Sequence, residues 1–141
     1  MKKLFTLALL ILAPYTFLAQ KKVRVHLTYT NSYCGGARPT PEIEEDIKTK
    51  RNLHDVHLVL KGKKHCKAFT DSTGAFTLPL KPGKYKIYKS YHKNEAHYTN
   101  YNPGCQKMRE MSFGEVIIEK GKTDYEVNLH FPCDPCALPK P

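Results

Sequence analysis

Apolar and polar residues alternate along most of this chain, in short runs. Val23, Val25, Leu27 and Tyr29 fall on one face of the first run and Arg24, His26 and Thr28 on the other, which is the two-residue period of a half-buried strand. Runs rich in β-branched and aromatic residues recur at Val56 to Leu60, Ala75 to Leu80, Lys84 to Tyr91, Glu115 to Glu119 and Tyr125 to Phe131. A strand-like stretch through Cys66 leads to Phe69. Gly, Pro, Asp and Asn punctuate the gaps. The rhythm predicts an all-β, antiparallel sandwich of about seven strands.

One segment has a different period. Thr40 can cap a helix that opens on Pro41, with Glu42, Glu44 and Glu45 near its positive end and Lys48, Lys50 and Arg51 near its negative end. Ile43 and Ile47 supply a single apolar pair at helical spacing, so one short helix near residues 41–50 is expected to lie over an edge or open end of the sandwich. Residues 92–105 read as a long loop.

The two ends read as something other than domain. Lys2 and Lys3 precede an apolar run from Leu4 to Leu12, and the stretch closes on Ala19, the layout of a secretory signal peptide covering residues 1–19. Pro14 interrupts it and Lys21 and Lys22 follow it, which disfavours a transmembrane span. The expected location is secreted or periplasmic. At the other end Pro132, Pro135, Pro139 and Pro141 oppose regular structure. The expected division is a signal peptide at 1–19, a β-sandwich domain at 20–131 and a Pro/Cys-rich tail at 132–141.

Removing residues 1–19 takes away Lys2 and Lys3 and no acid, leaving 21 Lys and Arg against 13 Asp and Glu, a formal charge of +8. Acidic polymers and anionic surfaces are favoured neighbours of such a chain. The lysines are dispersed along the sequence, and no helix-turn-helix, finger or RNP motif accompanies them, so no nucleic-acid partner is expected.

The run Thr70-Asp71-Ser72-Thr73-Gly74-Ala75-Phe76-Thr77-Leu78-Pro79-Leu80-Lys81-Pro82-Gly83-Lys84-Tyr85 carries the most specific local chemistry. Asp71 to Gly74 is a tight turn with Gly74 suited to positive φ, after which Phe76 and Leu78 point inward. Pro82-Gly83 makes the next turn, and Tyr85 opens a strand where its hydroxyl can bond backbone at a corner. This run resembles the signature of carboxypeptidase regulatory-like and collagen-adhesin B-type domains, the transthyretin-like group. The resemblance implies an Ig-like or prealbumin-like sandwich and a module for protein or surface interaction, with no catalysis. Two departures bear on the enzymes among such relatives. His92 and Glu95 have the His-x-x-Glu spacing of a metallocarboxypeptidase zinc pair without the catalytic domain around it. Ala137 to Pro141 stand where hydroxyisourate hydrolases carry Tyr-Arg-Gly-Ser.

Cys34, Cys66, Cys105, Cys133 and Cys136 follow the signal. In an oxidising compartment two bridges are expected among Cys34, Cys105, Cys133 and Cys136, with Cys66 free on its strand and facing the core. The sequence leaves the three pairings open. Cys133 and Cys136 lack the helix that lowers a redox thiol's pKa. A metal alternative joins His130, Cys133 and Cys136 with one more cysteine or histidine, for zinc or copper; otherwise no cofactor is implied. Tyr98, Asn100, Tyr101 and Asn102 are the expected contact residues of a binding loop. His54, His57, His92 and His97 sit in polar surroundings that suit an exposed ring.

Overall fold

A computed structural model describes residues 21–90 and 103–134. Among the described residues are eight strands and two helices, packed as two sheets. The first sheet is built around β1 (Val23–Asn31). One edge of β1 is shared by β2 (Arg51–Asn52) and β5 (Ala75–Leu78), both antiparallel to it. Its other edge takes β8 (Asp124–Phe131) in parallel, in register from Arg24 with Asp124 to Asn31 with Phe131. The second sheet runs β4 (His65–Phe69), β3 (His57–Lys61), β6 (Gly83–Lys89), β7 (Gly114–Ile118), antiparallel throughout.

The parallel pair departs from the expected antiparallel order. Hairpins force antiparallel pairing only between strands joined by a tight turn. β1 and β8 are the first and last strands, and side-chain alternation carries no information about direction. The second departure is helix α2 (Pro103–Glu110), which follows α1 (Pro41–Lys48) in the chain. Part of it falls in the segment read as a loop, because its only apolar signal is Cys105 and Met108, three residues apart and both buried.

Side-chain alternation builds the core directly. Val23, Val25, Leu27, Phe76, Tyr125 and Leu129 face Leu58, Leu60, Tyr85, Ile87, Val116 and Ile118 across the two sheets. Fully burying a side chain of this size contributes about 1.5–3 kcal/mol. α1 is capped as its sequence dictates, the Thr40 hydroxyl accepting from the Ile43 N–H at 3.4 Å, but none of its residues is buried. Its single apolar pair is too narrow a stripe to dock a whole face.

The turn at Asp71 is held by one carboxylate oxygen. Oδ1 accepts from the Thr73 N–H at 2.8 Å, the Thr73 hydroxyl at 2.6 Å and the Ala75 N–H at 3.0 Å. Gly74 sits at φ +83°, where a Cβ would lie 2.8 Å from the Leu27 carbonyl oxygen, so the turn requires glycine both for its backbone angle and for its close approach to β1. At the far side of the motif the buried Tyr85 donates its hydroxyl to the Lys81 carbonyl at 3.0 Å.

Candidate functional site

β1 and β8 leave the sandwich side by side, and several features converge at that end. The Ser32 N–H donates to the Phe131 carbonyl at 2.9 Å, which extends the ladder one step past the strands. Just beyond, a disulfide joins Cys34 to Cys133 with their Cα atoms 5.5 Å apart. Pro132 ends β8, so the bridge fastens a backbone that has no further sheet partner. Behind it Tyr29, Phe131 and Phe113 form a run of ring contacts, with centroids 5.5 and 4.8 Å apart.

Phe113 and Phe131 form one wall of a cavity of about 460 Å³. Leu53, Val56, Met108, Phe113, Phe131 and Pro132 give it an apolar floor, and Asn31, Ser32, Lys89 and Asp134 put polar groups around it. The volume and the few polar groups on an apolar lining are those of a small-ligand or side-chain pocket. α2 contributes Met108 to it, and Cys105 on the same helix is buried and disulfide-bonded. Sequence reasoning missed this wall along with α2. The signal available was Pro103 at the first helical position with Lys107 and Arg109 in the last turn.

On the outer face of the same sheet end, His130 lies between two hydroxyls. Its Nε2 is 2.9 Å from the Ser32 Oγ and its Nδ1 is 3.3 Å from the Thr30 Oγ1. A serine hydroxyl on an imidazole is half of a nucleophile and base arrangement. Here the ring is exposed and the group at its other nitrogen is a threonine hydroxyl. The Ser32 N–H is committed to Phe131. The contacts account for the ring's orientation as a cross-strand polar pair on β1 and β8.

The metal alternative meets the same chemistry. Cys133 shares its sulfur with Cys34, so it has no thiolate to offer a metal together with His130; Cys136 lies outside the described residues. Among the described residues no group of three or more His, Cys, Asp or Glu side chains is placed to hold a metal ion. Cys66 is a free thiol, half-buried and packed against the core. The expected contact residues Tyr98, Asn100, Tyr101 and Asn102 lie outside the described residues, as do His92, Glu95 and His97. The described residues that flank that segment, Ser90 and Pro103, follow β6 and open α2, the elements that bring Lys89 and Met108 to the cavity. No helix among the described residues is long and apolar enough to cross a membrane.

No protein-family model matches the chain, and no curated protein matches it. Among solved structures it is similar to a DUF3823 family protein from Parabacteroides merdae, at 19% sequence identity and a TM-score of 0.33. The alignment covers 78% of this chain and 45% of that one, so the chain spans less than half of the other protein's length.

Proposed function

We propose that this protein is an exported, non-catalytic interaction module of the carboxypeptidase regulatory-like, transthyretin-like kind, which engages a protein or surface partner through the disulfide-fastened end of its sandwich. The observation that carries the reading is the apolar cavity of about 460 Å³ at that end. Its walls come from the core's own Leu53 and Phe113, so it is held by the rigid part of the fold, and rigid scaffolds with a concave end are where recognition is usually built. The signal-like start of the chain and the Cys34–Cys133 bridge support an oxidising destination. The Asp71 turn and the Tyr85 corner support the family likeness.

Site-specific photo-crosslinking in the producing cell tests it. A crosslinker at Asn31 or Asp134, on the cavity rim, is expected to trap one discrete partner that a crosslinker at Lys120 in the β7–β8 turn does not. The same products from Lys120, or none from the rim, would remove the reading.

A further inference from the structure

The lysines that are dispersed along the sequence are gathered by the fold. In the second sheet Leu58, Leu60, Ala68, Tyr85, Ile87, Val116 and Ile118 point into the core, so their neighbours along each strand point to the opposite face. That outer face carries Lys61 on β3, His65 and Lys67 on β4, and Lys84 and Lys86 on β6, with Lys63 and Lys64 on the β3–β4 turn beside it. Ring contacts confirm the side. Lys61 Nζ lies 4.4 Å from the centre of the Tyr88 ring, and His57 and Phe69 form a tilted ring pair with centroids 4.6 Å apart. The acid on these strands is Glu115, already paired with Lys84 at 2.7 Å. The other sheet shows the opposite balance. Its outer face sets Asp124 opposite Arg24 and Glu126 opposite His26, and α1 next to it adds Glu42, Glu44, Glu45 and Asp46.

We propose that the outer face of the β4-β3-β6-β7 sheet is a binding site for an acidic polysaccharide. The register puts His65, Lys61 and Lys86 in one row across three strands, so their backbones step by about 4.8 Å, a spacing comparable to one sugar residue of an extended chain. Lys67 and Tyr88 flank Val59 in the next row, which sets an aromatic ring among the cations, with Lys61 held over its face. The cations of this face are all lysine and histidine. Without arginine forks it lacks the bidentate geometry that favours phosphate, and it suits the single charges of carboxylated or sulfated sugars. The site lies on the outer side of its sheet, not in the cavity between the sheets, so its failure and that of the proposed interaction end are read separately.

The test titrates the folded protein at low salt with an oligogalacturonate, a single-stranded DNA oligomer of matched charge and vesicles of anionic phospholipid. The oligogalacturonate is expected to bind most tightly, with amide shifts in the wild-type protein on β3, β4 and β6 and an affinity that falls with salt. In the Lys61→Glu, Lys67→Glu, Lys86→Glu variant the dissociation constant should rise at least about tenfold, and in the Lys48→Glu, Lys50→Glu, Lys120→Glu variant of equal net charge by less than about twofold. Equal losses in the two variants, tighter binding of DNA or vesicles, shifts on another face, or no binding at all would each overturn the proposal.

Discussion

Asp71 shows how much of a fold one side chain can settle. Its pKa is lowered, first by the Thr73 hydroxyl and then by the N–H groups of Ala75 and Thr73, because all three donate to the ionised form. A carboxyl with a depressed folded pKa adds stability that is present above its unfolded value and is lost as pH falls through the folded one. The melting temperature of the wild-type protein is therefore expected to drop below about pH 4, and Asp71→Asn should show a smaller drop over that range. An identical profile would detach the turn from the carboxylate. Two residues past the Gly74 turn, Phe76 is 4% exposed, and its replacement by alanine should cost about 3–5 kcal/mol in a denaturant titration, against nearly nothing for the exposed Lys81. This part was legible in the sequence because its physics is local. The Asp71 carboxylate and the Tyr85 corner hydroxyl meet partners within five residues of themselves.

Elements were legible wherever apolar spacing marked them, and they were misread where the spacing was thin. β1 and the helix cap at Thr40 follow their patterns. α2 offers two apolar positions, too few to mark a helix, and the cavity wall at Met108 goes unmarked with it. The direction of β8 had no sequence signal at all, since alternation is the same read either way along a strand. Cysteine pairing belongs to this scale too, because a bridge reports which elements end together. Cys34 and Cys133 follow two strands that exit as neighbours, 99 residues apart in the chain. Closing a loop of that length should stabilise the domain by about 2–5 kcal/mol, so the paired substitutions Cys34→Ser and Cys133→Ser should lower the unfolding free energy by that amount. Non-reducing peptide mapping should find Cys34 with Cys133, Cys105 with Cys136 and Cys66 unmodified. Cys66 in a bridge would contradict the pairing.

At the scale of the whole molecule, net charge was legible and its placement was not. A count of lysines cannot say which of two sheet faces they reach, and here strand register collects them on one. The pairing of the first strand with the last has a mechanical consequence as well. Tension between the two ends of the chain enters at Val23 and leaves beyond Cys133, and the disulfide gives it a covalent route along β1 and across the sulfur atoms, so the residues from Cys34 to Cys133 carry no load. With the bridges reduced, the force falls on the β1–β8 ladder instead. The two strands are parallel, so the pulled ends lie at opposite ends of the ladder and its hydrogen bonds are sheared together. In single-molecule pulling the oxidised protein should stretch only through its flanks and β1. The reduced protein should yield in one rupture, releasing about 330 Å for the 99-residue span. Thiol chemistry at one end of the sandwich thus decides whether the domain behaves as an inextensible link or as a spring that gives way.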